Sequence, residues 1–329
     1  MKTNLFEMTR LPLLVALLAP VAAAGCNGDD NTQKAAPTSC GWESPDIQAL
    51  DQCAPLTFGI FSDNKGDGPS RKQVGVMIAG MKDMGAAFVL GLGDHVRGPK
   101  KQTAEFVTFI EQDAWWHDNF YPTIADGENA YYGTAQSDWG AGKGLLDDLE
   151  LCNRANVTCR DNGVEYHATW TIQGITVHYI SAHYPDQGTD PFPEASQQYL
   201  VDEVNAIARD GHQVVILAAH TDDWVKVMPK ERQEVVLSKA DLLLGATTHL
   251  YTRYSYPDDK ALFLNTGSTG YSPFNNYLQV TVLEQPLRLI VQNMNASGER
   301  HLQTGANCWV KQVGGQVSSC AFEHADATW

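Results

Sequence analysis

The 329 residues are 43% hydrophobic and 19% charged, with Gly 28 and Pro 15 spread along the chain, which excludes a disordered tail protein, a collagen-like repeat and a coiled coil. Lys+Arg 23 against Asp+Glu 39 leaves a formal net charge of −16, a field that repels polyanions and argues against nucleic acid as a partner. A small anionic substrate stays open, because a bound cation dominates the potential inside one cleft.

Residues 1–26 read as an export signal: Lys2 and Arg10, then an apolar run over residues 11–18, then small residues over 22–25. Ala23-Ala24-Gly25-Cys26 resembles a bacterial lipobox. It predicts an exported protein, either a cell-envelope lipoprotein held at Cys26 or a periplasmic or extracellular one, with a membrane met only through that N-terminal lipid. Residues 27–55, rich in Asn, Asp, Thr and Pro, read as a polar tether. Setting Cys26 aside leaves six cysteines, which fall as three local pairs, Cys40–Cys53, Cys152–Cys159 and Cys308–Cys320, suited to disulfides in an oxidising compartment. The rival is a thiolate zinc site, and none of the spacings is the short C-x2-C kind.

The folded domain is predicted over residues 56–300. Residues 56–62 read as a buried strand; Val74, Met77, Ile78 and Met81 then fall at i, i+3, i+4 and i+7, the stripe of an amphipathic helix. A strand over 86–93, a helix marked by Phe106, Phe109 and Ile110, a strand over 121–125 and a short helix over 144–151 come next. Residues 165–182 alternate as a hairpin turning at Gln173-Gly174. The stripe Leu200, Val204, Ile207 predicts a helix stopping at Gly211. Strand, helix and strand are predicted at 213–219, 230–239 and 241–245, and strands return over 261–294 with turns at Gly267, Gly270 and Pro286. Residues 301–329 read as a disulfide-bearing C-terminal extension.

Alternating strands and helices predict an α/β layered fold. The residues just beyond each apolar run are informative. LTFGIFS delivers Asp63, AAFVLGLG delivers Asp94 and His95, YPTIA delivers Asp126 and Glu128, QVVILAA delivers His220, and ADLLLGATT delivers His249. One such residue alone reads as a cap or a turn. Five strand ends presenting carboxylate or imidazole to one edge, where α/β sheets bind ligands, read as a site. Mixed carboxylate and imidazole donors suit Fe, Mn or Zn.

Here the chain, over roughly residues 56–294, resembles the calcineurin-like metallophosphoesterases, which include the purple acid phosphatases. Ser62-Asp63-Asn64-Lys65 stands at the family's Asp-x-His, and Gly93-Asp94-His95-Val96-Arg97-Gly98 matches its GDxxxxG box. Gly127-Glu128-Asn129-Ala130 replaces GNH, and His220 is the lone His after a later strand. Ala246-Thr247-Thr248-His249-Leu250-Tyr251 matches the GHxH box without its first His, and residues 263–268 resemble the strand and Gly turn that close the family's site. The resemblance implies a layered αββα sandwich with the metal site at the C-terminal ends of the strands, one or two transition-metal ions (Fe, Mn or Zn) and a small anionic phosphate ester as substrate. Carried over, one ion takes Asp63, Asp94 and His249, with Lys65 where a His is expected. The other takes Asp94, Glu128 and His220, with Thr247 a poor ligand. The candidate metal ligands are therefore Asp63, Asp94, Glu128, His220 and His249, and the candidate catalytic residues Asp94, His95, Asn129 and Lys65. Asn129 stands at the family's leaving-group acid and has no acidic proton to give.

Three functions are weighed: a metal-dependent phosphoesterase with a modified site, a secreted binding protein that keeps the fold without the chemistry, and an ester or amide hydrolase with a single ion. Lys65 reads either as a fixed cation at the cleft or as a solvated lysine in its Asn-Lys-Gly-Asp-Gly turn. His183 reads as a replacement ligand or a rim residue, and Asp222 and Asp223 as caps rather than ligands. Trp115, Trp116, Tyr131 and Tyr132 read as packing or as cleft lining.

Overall fold

A computed structural model describes residues 54, 56–65, 68–96, 100–125, 128, 140–184, 192–256, 260–269, 275–284, 286–295 and 308–320. The export signal, the lipobox, the tether, Cys40–Cys53, Asp126, Asn129, Tyr131 and Tyr132 lie outside the described residues. Among those described, no helix is long and apolar enough to cross a membrane.

The first strand, β1 (Leu56–Phe61), is buried at all six positions. A strand covered on both faces needs a continuous apolar run rather than alternation, and LTFGIF supplies one. β1 pairs in parallel with β2 (Val89–Gly91), which pairs in parallel with β3 (Phe120–Pro122). On its other side β1 runs antiparallel to β11 (Asn276–Leu283), followed by β12 (Arg288–Asn295), β13 (Cys308–Gln312) and β14 (Val317–Ser319). Residues 308–319 thus add two strands to this sheet, and Cys308–Cys320 closes their hairpin.

The second sheet holds β4 (Val157–Cys159), β5 (Tyr166–Ile172), β6 (Ile175–Ser181), β7 (Gln213–Ala218), β8 (Leu242–Gly245), β9 (Tyr251–Tyr254) and β10 (Leu262–Thr266). Its order is β4-β5-β6-β7-β8-β10-β9, with β6, β7, β8 and β10 parallel. The predicted hairpin is β5–β6, turning at Gln173-Gly174. Cys152–Cys159 ties β4 to the 3-10 turn that precedes it.

The period-2 geometry of strands sorts the side chains into layers. Phe58 and Ile60 of β1 and Leu278, Val280 and Val282 of β11 share one cluster with Val177, Tyr179, Val214, Ile216, Leu242 and Leu244 of the second sheet. The helix α1 (Gly68–Asp83) joins that cluster through the predicted stripe Val74, Met77, Ile78 and Met81. Next come α2 (Lys100–Glu111), which presents Phe106 and Ile110, α3 (Ala114–Asn119) and α4 (Gly140–Asp148). On the far side, Val215, Leu217, Leu243 and Phe263 pack against Leu200, Val201 and Val204 of α5 (Glu194–Ala206) and Val236 of α6 (Lys230–Lys239). Fully burying each such Leu, Val, Ile or Phe contributes about 1.5–3 kcal/mol. The result is the expected αββα sandwich of two mixed seven-stranded sheets.

Several expectations are corrected. The α5 helix ends at Ala206 with Ile207 extended, and Gly211, at φ +85°, belongs to the turn into β7. Neither α3, β4 nor β9 is expected from the sequence pattern. Asp223 precedes a 3-10 turn, but its side chain caps nothing there and instead accepts from the Tyr256 hydroxyl. Trp116, read as packing or as cleft lining, is core, as the packing reading had it, wedged among Phe106, Phe109 and Phe120.

Candidate metal centre

Asp63 follows β1, Asp94 follows β2, His220 follows β7 and His249 follows β8, so the carboxyl ends of parallel strands from both sheets converge. Asp63, Asp94 and His220 are buried, and each offers a ligand atom within 4.8 Å of the others. His220 Nδ1–H donates to the Leu92 carbonyl at 2.6 Å, across the two sheets. That bond fixes the tautomer and leaves the lone pair on Nε2, the form in which imidazole takes a metal, with the backbone-carbonyl support metal-binding histidines usually have. Two carboxylates and one oriented imidazole suit a first-row ion. His249 Nε2 lies 3.2 Å from Asp63 Oδ1 and is partly exposed, at the rim of the cluster.

The backbone here is held in an uncommon conformation. Asp63, Lys65, Asp94, Thr247 and His249 all have φ between +52° and +78°, five of the eight non-glycine residues with positive φ among those described. Such strain persists only where the surroundings impose it, and it concentrates at functional sites. The surroundings are visible. Asp63 N–H donates to Gly93 O at 3.1 Å and Lys65 N–H to Asp94 O at 2.9 Å, zipping the two loops together. Ser268 Oγ donates to Asp63 O, and Ser62 Oγ bonds Thr266 and the Gly267 carbonyl. Asn265 Nδ2 bridges Ala246 O and Thr248 Oγ1, fixing the loop that carries Thr247 and His249.

Electrostatics follow from the packing. Burial by itself pushes the Asp63 carboxyl up, but the His249 hydrogen bond and the neighbouring Lys65 ammonium are among the interactions that outweigh it and hold the group at about 2. Lys65 is buried, its side chain 6% exposed; its ammonium lies 3.4 Å from Asp63 Oδ1 and makes an ion pair with Asp94 Oδ2. The solvated reading of this lysine is therefore corrected: its positive φ turns it back over the carboxylates.

Four other residues that the sequence singles out are placed as follows. Glu128 is buried, and its two oxygens accept from four backbone amides: Asp94 and Ala125 on Oε2, His95 and Val96 on Oε1. His95 is buried between Phe61, Phe106 and Phe120. Gly93 N–H donates to its Nε2 at 3.2 Å, so its Nδ1–H donates to Asn64 Oδ1 at 2.7 Å. Burial is the largest cause that pushes its pKa down, to about 3. Thr247 Oγ1 donates to the His220 carbonyl at 2.9 Å, and its N–H points at Asp63 Oδ2. His183 is buried rather than on a rim, with Nδ1–H toward the Ile124 carbonyl and its backbone N–H on Glu165.

No family model matches the chain, and no curated protein matches it. Solved structures do. A dimetal phosphatase from Danio rerio superposes over 79% of this chain and 99% of its own, with TM-score 0.56 and 11% identity. A purple acid phosphatase from yellow lupin (Lupinus luteus) seeds superposes over 78% of this chain with TM-score 0.54 and 14% identity; the match spans 53% of the lupin chain. The chain shares the metallophosphoesterase fold with both.

Proposed function

We propose that the chain is a metal-dependent phosphoesterase that hydrolyses small anionic phosphate mono- or diesters, with an ion of the Fe, Mn or Zn kind held by Asp63, Asp94 and His220. The buried Asp-Asp-His cluster at converging strand ends carries this reading. The fold shared with two proteins named as phosphatases supports it. When bound, the ion supplies positive charge and Lewis acidity toward the phosphoryl group. Asp63 and Asp94 supply anionic oxygens, and the Leu92 carbonyl keeps the His220 ring aimed with its lone pair inward. His249, with Nε2 at 3.2 Å from Asp63 Oδ1, would help to orient that carboxylate. Glu128 serves as an organiser, not a ligand: with two amides on each oxygen, its in-plane lone pairs are engaged in shaping the Asp94 loop. His95 is likewise a positioning residue, since a neutral ring bonded to Gly93 and Asn64 has no proton to lend at working pH.

With no acid at His95, and Asn129 unable to act as one, ester oxygens that leave readily as anions are favoured. A missing general acid costs about 10²–10⁴-fold on leaving groups that need protonation. Export is part of the same proposal, and the two disulfides suit an oxidising compartment.

The test is hydrolysis of nitrophenyl phosphate against an alkyl phosphate by purified protein. The aryl ester should turn over far faster, EDTA should abolish the activity and Mn²⁺ restore it. Asp94→Asn should lower Mn²⁺ affinity by more than about 100-fold, beyond the 10–100-fold lost when an outer partner is changed. One observation favours a second reading, a non-catalytic binding protein: Lys65 already neutralises part of the carboxylate pair. Bound ion without turnover of either ester, in Mn²⁺, Fe²⁺ or Zn²⁺, would select that reading.

A further inference from the structure

We infer that this centre takes one divalent ion, not two, and that the Lys65 ammonium is a tethered second cation standing where another ion would otherwise be needed. The inference rests on the proposed metal site only for the first ion. A lysine with 6% of its side chain exposed is costly unless its charge is paired, and here it is paired twice, to Asp63 and Asp94, the only two carboxylates in the cluster among the described residues. The same loop geometry that presents Asp63 delivers Lys65, because both residues are left-handed and Lys65 N–H is fixed to Asp94 O.

The carboxylate oxygens of the cluster already face positive or donating groups. Asp63 Oδ1 meets Lys65 and His249, Asp63 Oδ2 meets the Thr247 amide, and Asp94 Oδ2 meets Lys65. Two of the side chains at the second ion's expected ligand positions are directed to the backbone, Glu128 to four amides and Thr247 to the His220 carbonyl, while the other two, Asp94 and His220, belong to the single cluster. Charge points the same way. One divalent ion with Lys65 and the two carboxylates leaves a single net positive charge, a field suited to an anionic ester. Two ions would leave three net positive charges in a buried space whose like charges repel strongly.

The experiment is Mn²⁺ binding to metal-stripped full chain, by elemental analysis after dialysis and by titration calorimetry, in wild type, Lys65→Gln and Lys65→Arg. Thermal unfolding is followed with and without Mn²⁺. Wild type should hold one equivalent. Lys65→Gln, which leaves two carboxylates without their cation, should bind Mn²⁺ at least tenfold more tightly or take a second equivalent, and its melting temperature should rise with Mn²⁺ more than that of wild type. If it folds only when Mn²⁺ is present, that dependence is the same result. Lys65→Arg, which keeps the charge, should stay within a few-fold of wild type. Two equivalents in wild type, or unchanged or weaker binding in Lys65→Gln, overturn the inference while leaving the metalloenzyme reading standing. No Mn²⁺ in wild type but binding in Lys65→Gln upholds the tethered cation and overturns the metalloenzyme. No binding in any of the three proteins overturns both.

Discussion

Gly93 shows how little room the centre leaves for a change of one atom. Its φ is +90°, and a Cβ there would lie 2.5 Å from the Ala125 Cβ and 2.8 Å from His220 Nδ1. Gly93→Ala should therefore cost about 2–3 kcal/mol through overpacking and a disfavoured backbone, and it should dislodge the His220 ring. Urea unfolding and bound Mn²⁺ measured on one preparation will test this; wild-type values for both would mean the loop yields freely. At this scale the sequence was legible where a polar residue ends an apolar strand, as at Asp63, Asp94, His220 and His249. It was not legible where direction depends on φ. Asp, Lys, Thr and His carry no mark of left-handed backbone as glycine does, so the sequence left Lys65 between a cleft cation and a solvated turn residue, and the Thr247 amide reaching Asp63 could not be read. Glu128 and His95 were assigned to chemistry from their neighbours in sequence, and their bonds to four amides and to Asn64 and Gly93 exist only once the loops are folded.

Elements with a long apolar stripe or a fully buried run, such as α1, β1 and β7, announced themselves. The short ones did not: β4 has three residues, none buried, and α3 has six, begun by Asp113, whose carboxylate accepts from the Trp116 amide and pairs with Lys82 of α1. A polar chain fastens α5 to its sheet: Glu203 to His167 Nδ1 at 2.7 Å, His167 Nε2 to His178 Nδ1 at 3.0 Å, and His178 Nε2 to Gln213 at 3.0 Å. Half-buried His178 has its pKa lowered from 6.5, first by burial and then by His167. The unfolded chain takes up that proton first as pH falls, so its contribution to stability is full above about 6.5 and is lost progressively below. Between pH 7 and pH 5 the urea midpoint of wild type should fall more steeply than that of His178→Gln. Equal slopes would show that His178 does not titrate differently on folding.

Across the whole molecule, the alternation of strands and helices foretold the α/β class, but the pairing of β11 with β1 and the membership of β13 and β14 in the first sheet depend on contacts far apart in sequence. The two disulfides among the described residues lie at matching places in this plan. β4 is one edge of the second sheet and β14 one edge of the first, and a cystine sits at each. Opening either should cost about 2.5 kcal/mol by the loop-entropy estimate for closures of 7 and 12 residues. Because the affected strands are short and terminal, the greater effect is colloidal. A frayed edge strand exposes an unpaired row of amides and carbonyls that another molecule can zip onto. Under mild reductant below the melting temperature, light scattering should therefore rise before tryptophan fluorescence reports unfolding; scattering that lags fluorescence would mean the edges stay closed. The cystines then act less as struts for the core than as selvedges, which keep two sheets of one molecule from being woven into those of the next.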